Sequence, residues 1–138
     1  MPEPEINATA TAELLVGPAD LASSISSEHG DSFPAVLATA RMVALMETAA
    51  ARVLQPFLGP GELSVGVTVD ITHTAPTPPG VLVTAHARYT GREGKLFVFE
   101  ISARDVGGEI GRGSHKRAIV ETERLVRAAA KRNAHQIT

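Results

Sequence analysis

Residues 63–80, LSVGVTVDITHTAPTPPG, decide the fold. A strand pattern in this stretch runs as far as a histidine, and a proline-rich loop follows it. Apolar residues occupy every second position from Val65 to Ile71, and His73 continues that series. Side chains two residues apart lie on one face of a strand, so His73 is predicted to point toward the apolar face. A titratable ring placed there is either a satisfied core histidine or a catalytic one.

Composition excludes several classes of protein. The chain has 138 residues, which fits one domain, and its formal net charge of -2 gives no broad positive field for nucleic acid or an anionic membrane. It has no cysteine, which excludes disulfide scaffolds, thiolate metal sites and a cysteine nucleophile. Residues 1–13 lack the pattern of a signal peptide, and no apolar run approaches the roughly 20 residues that span a bilayer. We therefore expect one cytoplasmic domain over residues 1–138, with loose tails at 1–7 and about 127–138.

Helix and strand signals follow one another along the chain in a simple order. Residues 36–55 lack Gly and Pro and are rich in Ala, Leu and Met, which predicts a helix. Alternation and turn residues predict strands at 8–16, 63–73, 80–90, 95–105 and 109–124. Turn compositions at 91–94 and 107–108 make the later strands antiparallel neighbours, and residues 126–138 are predicted to form a short basic helix that frays.

This order predicts an α+β fold in which a long central helix packs on a curved antiparallel sheet of five strands. That is the plan of a single-domain hotdog fold. Because apolar residues occur all round the predicted helix, one small sheet cannot cover it. We therefore expect a homodimer or a higher oligomer, in which a second subunit covers the remaining face.

Three polar side chains are candidates for catalysis. Glu47 is the acid within an apolar helix block, where a carboxylate lies either on a thin exposed stripe or beside a group that it orients. Thr39 lies eight residues earlier, about 12 Å along the axis, so only a bridging group such as His73 or a substrate can connect the two. Taken alone, Thr39 is also explained as a helix cap or a back-bonded hydroxyl. His73 is either a packed ring or a general base.

A second group of candidates lies on the strands. Gly66 interrupts its strand and marks either a bulge or a close approach of the backbone to a ligand. His115 and Arg117 are two residues apart and share a strand face. With Arg112 and Lys116 they form a basic cluster, which either holds phosphates or is a solvated sheet edge. No histidine pair at ligand spacing and no glycine-rich phosphate motif occurs, so neither a metal site nor a cofactor is expected.

Three stretches of the chain resemble the family of fluoroacetyl-CoA thioesterase and its hotdog relatives. They are residues 33–47 (FPAVLATARMVALME), 69–80 (VDITHTAPTPPG) and 113–118 (GSHKRA). The similarity spans about residues 33–120 in the same order, and the run from His73 to Gly80 is its most specific part. The resemblance implies a dimeric hotdog enzyme that hydrolyses an acyl-CoA thioester.

The resemblance also implies roles for particular residues. The catalytic threonine, glutamate and histidine of the family fall on Thr39, Glu47 and His73. Substrate-binding roles are implied for Phe33, Gly66 and Arg117, and we expect the same of His115, which shares a face with Arg117. Two positions depart from the family. Its first lid phenylalanine falls on Gly30, and the tryptophan after its glutamate falls on Thr48, so the chemistry is retained and the acyl group stays open.

The leading functional hypothesis is hydrolysis of a small acyl-CoA thioester, with fluoroacetyl-CoA as one candidate substrate. His73, oriented by Glu47, would act as general base on a water molecule or on the Thr39 hydroxyl, and a backbone N–H near Gly66 would stabilise the oxyanion. The alternative is a non-catalytic hotdog protein that binds acyl-CoA or another small ligand. A hydratase or dehydratase is disfavoured, because the acid lies in the middle of the helix.

Overall fold

One antiparallel sheet and one long helix form the core of the molecule. The computed structural model describes residues 2–135. The strands are β1 (Thr9–Leu15), β2 (Glu62–His73), β3 (Leu82–Glu93), β4 (Leu96–Asp105) and β5 (Gly108–Glu121), and the helices are α1 (Thr39–Leu54) and α2 (Thr122–Arg132). The predicted order of strand, helix and four strands is confirmed, as is the hotdog plan of a helix on a five-stranded antiparallel sheet.

Helix α1 begins three residues later than predicted, at Thr39 instead of residue 36. The N–H of Leu37 donates to the carbonyl oxygen of Thr77 at 2.9 Å, which ties this segment to the proline-rich loop. Ala38 has the extended backbone angles φ -67° and ψ 138° and caps the helix without a side-chain hydrogen bond. Because Ala38 is extended, Thr39 occupies the first helical position, and its hydroxyl is not used as the cap.

One face of α1 packs against the sheet. The buried side chains of the helix are those of Met42, Leu45, Met46, Ala49, Ala50, Val53 and Leu54. They join a core that includes Tyr89, Phe97 and Phe99 from the sheet. Burial of each large apolar side chain contributes about 1.5–3 kcal/mol, so this interface fixes the helix on the sheet. A stripe of small side chains that includes Ala40, Ala44 and Thr48 is exposed, so the sheet leaves one face of the helix uncovered in a single chain, as the sequence predicts.

Strand β2 forms one edge of the sheet, whose order is β1-β3-β4-β5-β2. Its pairing with β5 shifts in register between Gly66 and Thr68, which leaves Val67 without a partner in β5. An extra residue of this kind is a β-bulge, and it breaks the strict alternation predicted for the strand. Val67 is 51% exposed and Val69 is 40% exposed, so the face predicted to be buried is partly open in a single chain.

The turns show one agreement and one difference. The predicted turn around 107–108 lies between β4 and β5, as expected. The turn predicted at 91–94 is shorter, because Gly91 lies inside β3 at a second register shift and has a φ of 136°. Only Gly94 and Lys95 separate β3 from β4.

Both ends of the chain differ from the expected tails. The Tyr89 hydroxyl donates to a carboxylate oxygen of Glu3 at 2.8 Å, and the N–H of Asn7 donates to the Tyr89 carbonyl at 2.8 Å. The segment predicted to be loose at 1–7 therefore bonds to β3 within residues 2–7. The tail helix is present as α2, which begins four residues earlier than predicted and has no buried residue. Residues 136–138 of the predicted tail lie outside the described residues.

The proline-rich loop after β2 is fixed by a buried threonine. The Thr77 hydroxyl donates to Asp105 Oδ2 at 2.8 Å, and the N–H of Gly107 donates to the other oxygen, Oδ1, at 2.8 Å. The Thr77 carbonyl accepts from Leu37, next to the start of α1. Thr77 thus joins the loop behind His73, the segment before α1 and the β4–β5 turn.

We expect Thr77→Val to lower the free energy of unfolding by about 1–2 kcal/mol, because a buried hydrogen bond to a carboxylate is lost at nearly constant volume. Urea unfolding followed by circular dichroism measures the change. Thr72→Val is the control, because Thr72 is exposed, and it should change stability by less than about 0.5 kcal/mol. Equal effects of the two substitutions would show that the Thr77 bond does not anchor the loop.

Candidate active site

Thr39 and His73 form a hydrogen-bonded pair between the start of α1 and the end of β2. Thr39 Oγ1 lies 2.8 Å from His73 Nδ1. The second ring nitrogen, Nε2, is buried and has no hydrogen-bond partner among the described residues. His73 is therefore not a core histidine with both nitrogens satisfied, and Thr39 is neither a cap nor a back-bonded hydroxyl. A hydroxyl beside an imidazole with one unused nitrogen is an arrangement suited to proton transfer.

A cavity of about 390 Å³ adjoins this pair. Apart from Thr39, His73 and Thr74, its lining is apolar, with Ala22, Pro34, Val36, Leu37, Ala75 and Pro76. An apolar pocket with a few convergent polar groups is the usual form of a small-molecule site. A larger concave surface of about 700 Å³ lies on the opposite side of the sheet, where the Arg88–Glu100 and Arg112–Glu109 ion pairs line it, and it contains none of the predicted catalytic residues.

Glu47 belongs to a different cluster. Its Oε2 accepts a hydrogen bond from Arg117 Nη1 at 2.9 Å and lies 4.0 Å from His115 Nε2. Among the described residues no contact joins the Glu47 carboxylate to His73, so the prediction that Glu47 orients His73 is not met within one chain. The reason is the helix: Glu47 lies two turns beyond Thr39, which is the residue that His73 contacts.

Arg117 is the centre of the second cluster. Its Nε donates to Ser64 Oγ at 2.9 Å and its Nη2 donates to the Ser64 carbonyl at 2.9 Å. Its Nη1 donates to Glu47 Oε2 at 2.9 Å and to His115 Nε2 at 3.1 Å. Arg117 is buried, and these bonds use four of the five N–H groups of its guanidinium. The cluster therefore contains the predicted residues Glu47, His115 and Arg117, and it adds Ser64.

The predicted basic cluster on β5 is divided between the two faces of the sheet. Arg112 pairs with Glu109, and Lys116 pairs with Glu93 at 2.8 Å. Arg117 points to the helix side and pairs with Glu47. Each of these cations therefore has a carboxylate partner in the chain, and Arg112 and Arg117 lie on opposite faces of the sheet.

His115 is fully buried and both of its ring nitrogens are engaged. Nδ1 lies 2.8 Å from the Thr68 carbonyl oxygen, which can only accept, so Nδ1 carries the hydrogen. Nε2 is then the acceptor for Arg117 in the neutral ring. Burial is the main cause that lowers the pKa of His115, and the positive charge of Arg117 acts in the same direction. No ring nitrogen is left for direct contact with a substrate.

Gly66 makes room for the second cluster. A Cβ atom at this position would lie 2.5 Å from Glu47 Oε2 and 3.2 Å from His115 Cε1. Contacts this short do not occur, so any side chain at Gly66 displaces the Glu47 carboxylate. The prediction that Gly66 marks a bulge is confirmed. The group that lies close to the Gly66 backbone is the carboxylate of Glu47 in the same chain.

The segment before α1 covers the side of the Thr39–His73 pair. Phe33 lies there with 46% of its surface exposed, next to the cavity residue Pro34. Gly30 has a φ of 97°, in the left-handed region that residues with a side chain rarely adopt. The family's first lid phenylalanine falls on this glycine, so a phenylalanine at position 30 would require a strained backbone or a different loop path.

Ser64 and Thr77 are the contributors that sequence reasoning missed. Ser64 lies in the alternating strand on the face opposite to the valines, where a serine gives no signal by itself. Thr77 lies between two prolines, in a segment that the sequence predicts to be a loop.

Among residues 2–135 no group of His, Cys, Asp or Glu side chains is placed to hold a metal ion. None of the helices described there is long and apolar enough to cross a membrane.

The buried His115 predicts a pH dependence of stability. Below about pH 6.5 an unfolded histidine binds a proton, whereas folded His115 resists protonation because its pKa is lowered. The unfolded state then binds more protons, so this residue destabilises the fold as the pH falls below about 6.5. We expect unfolding free energies between pH 7.5 and 5 to fall less steeply for His115→Gln than for the unmodified chain. Parallel curves for the two proteins would contradict the assignment.

Comparisons with known proteins identify the family of the chain. The family model described as fluoroacetyl-CoA-specific thioesterase matches residues 16–123. A fluoroacetyl-CoA thioesterase from Streptantibioticus cattleyicolor is 47% identical over 93 residues, which are 67% of this chain and 67% of that protein.

Solved structures show the same similarity. A mutant of the fluoroacetyl-CoA enzyme FlK in complex with acetyl-CoA superposes with a TM-score of 0.87 and 35% identity, covering 93% of this chain and 98% of the other. A thioesterase superfamily member from Thermus thermophilus has a TM-score of 0.85 and 28% identity, covering 99% of this chain and 97% of the other. The sequence match and the shared fold lead to one conclusion: this chain belongs to the fluoroacetyl-CoA thioesterase family of hotdog proteins.

Proposed function

We propose that the chain hydrolyses a small acyl-CoA thioester to the free acid and CoA. The observation that carries the proposal is the Thr39–His73 pair, with its unused imidazole nitrogen, beside an apolar cavity of about 390 Å³. The cavity suits the acyl group, and the pair suits removal of a proton from the attacking oxygen. Membership of a family of thioester hydrolases supports the same reaction.

The reaction needs one base and one oxyanion site. In the proposed mechanism His73 accepts the proton of the attacking oxygen as that oxygen bonds to the thioester carbonyl carbon. A backbone N–H at the Gly66–Thr68 bulge stabilises the negative oxygen of the tetrahedral intermediate. The C–S bond then breaks, and the CoA thiolate leaves and takes up the proton from His73. The attacking oxygen belongs either to water or to Thr39, in which case water hydrolyses the acyl-threonine in a second round.

These groups are too far apart to serve one substrate within one chain. Thr39 and Glu47 are about 12 Å apart along α1, and His73 and Gly66 are seven residues apart in β2, roughly 23 Å if fully extended. We propose that two copies pair antiparallel through their exposed β2 edges. A pairing centred near Val69 would place His73 of one copy beside Gly66 and Glu47 of the other, where Glu47 can orient the ring.

Several features support a homodimer of this kind. β2 is an edge strand with an unpaired ladder and with Val67 and Val69 exposed, which soluble proteins usually cover. The exposed stripe of α1 consists mainly of small side chains, which allow another helix or strand to approach closely.

The acyl group is a separate part of the proposal. The apolar walls of the cavity suit a small acyl group, and fluoroacetyl-CoA remains one candidate. Gly30 and Thr48 stand where the fluoroacetyl enzyme family has a phenylalanine and a tryptophan, so the acyl group preferred by this chain can differ.

We also propose a cytoplasmic location, where CoA thioesters are used. Cell fractionation would test it.

We expect His73→Ala and Glu47→Gln each to lower kcat by about 100-fold or more, the scale of a lost general base or of its orienting group. Steady-state release of CoA from acetyl-, fluoroacetyl-, butyryl- and phenylacetyl-CoA measures the effect. His86→Ala replaces an exposed histidine on the other side of the sheet and should leave kcat unchanged. Tight binding of acyl-CoA without hydrolysis by the unmodified chain would favour the non-catalytic alternative. Normal turnover by folded His73→Ala would exclude His73 as the base.

The shared site predicts complementation between two inactive variants. In a mixed dimer of His73→Ala and Glu47→Gln chains, one site carries both defects and the other carries neither. Random exchange of subunits should therefore restore up to about one quarter of the unmodified activity. If both residues acted within one chain, every site in the mixture would stay defective and no activity would return.

Cross-linking tests the same pairing independently of activity. The chain has no cysteine, so Val69→Cys gives a single thiol near the proposed two-fold axis. Mild oxidation should convert most of it to a covalent dimer on a denaturing gel. Val106→Cys is the control, because Val106 is 95% exposed in the β4–β5 turn, far from the β2 edge. Equal cross-linking of both variants would argue against pairing through β2.

A further inference from the structure

We propose that Ser64 and His115 are positioning residues, which hold Arg117 against Glu47 and thereby fix one carboxylate oxygen and leave the other free for the reaction. This inference rests on the proposed function, because that function gives Glu47 its catalytic role. It changes the role expected for His115 from substrate binding to support of the acid.

The orientation of the Arg117 guanidinium is set by Ser64. The hydroxyl and the carbonyl oxygen of this one residue accept from Nε and Nη2, each at 2.9 Å. Two parallel bonds to one edge of a planar group fix its plane as well as its position. The opposite nitrogen, Nη1, is then directed at Glu47 Oε2, 2.9 Å away. Loss of the Ser64 hydroxyl removes one of the two bonds and allows the plane to rotate.

His115 holds the other side of the same nitrogen. Its Nδ1 hydrogen is committed to the Thr68 carbonyl at the bulge, so Nε2 can only accept. It accepts from Arg117 Nη1 at 3.1 Å. His115 Nε2 and Glu47 Oε2 are 4.0 Å apart, so one arginine nitrogen bridges two acceptors. Burial, which lowers the pKa of His115, keeps the ring neutral and able to accept.

The network restricts the position of the Glu47 carboxylate. Its side chain is 37% exposed, and without partners a glutamate at that exposure would sample several rotamers. Arg117 and the narrow space above Gly66 confine Oε2, whereas Oε1 has no hydrogen-bond partner in the described chain. The free oxygen is therefore presented in one direction, as an acid that orients a histidine or a water requires.

The kinetic test uses one hydroxyl. We expect Ser64→Ala to lower kcat about tenfold with KM within twofold, and Ser64→Thr, which keeps the hydroxyl on a strand, to restore most of the loss. Ser114→Ala, an exposed serine on β5, is the matched control and should have normal kinetics. In a Glu47→Gln background Ser64→Ala should change kcat by less than twofold, because its effect acts through Glu47. A full tenfold loss in that background, or no loss in the unmodified one, would overturn the proposal.

A second measurement does not depend on turnover. In ¹⁵N-labelled protein the Arg117 Nε–H should give a resolved signal that exchanges slowly with water, assigned by its loss in Arg117→Lys. Ser64→Ala and His115→Phe should shift it and speed its exchange at least tenfold, and Ser114→Ala should not. An unchanged signal in folded Ser64→Ala would overturn the network. Absence of hydrolysis by the unmodified chain with a signal that responds as expected would reject the proposed function and keep the network.

Discussion

The rigidity of α1 is the constraint on which the rest of the site depends. The helix is fixed on the sheet by seven buried side chains, and it carries Thr39 in its first turn and Glu47 two turns later. A straight helix keeps these positions about 12 Å apart whatever the side chains do. His73 can therefore join only one of them within the chain, and it joins Thr39. In the dimer proposed above, association through β2 brings His73 of one copy to Glu47 of the other.

The cationic side chains of β5 form ion pairs with carboxylates of the same chain. Arg112, Lys116 and Arg117 each contact a carboxylate of the same chain, although they lie within six residues of one another. The buried pair is the one with consequences, because a guanidinium taken out of water requires nearly complete hydrogen bonding. Ser64 and His115 supply that bonding. The network therefore satisfies a structural requirement and aligns Glu47 with the same four contacts.

Much of this could be predicted from the sequence, and the failures have definite physical causes. The composition of residues 36–55 and the alternation of the strands predicted the fold, because helix and sheet periodicities are local properties. The strand alternation failed at Val67, since a bulge depends on how β2 registers with β5. Thr39, Glu47 and His73 could be named as candidates, and His73 could be named as a partner of Thr39, but Arg117 could not be named as the partner of Glu47. Contacts such as Ser64 with Arg117 join residues 53 positions apart, and no local pattern encodes them.

The conformation of Gly30 bears on how the acyl group is chosen. A φ of 97° is accessible to glycine at little cost, whereas a phenylalanine there would strain the backbone or rebuild the loop. Phe33 remains as the aromatic side chain of that loop, partly exposed and next to Pro34 at the cavity wall. Neither Gly30 nor Phe33 lines the cavity, whose apolar walls are Ala22, Pro34, Val36, Leu37, Ala75 and Pro76. Selection among small acyl groups in this chain should therefore depend on the fit of the cavity walls more than on closure above them.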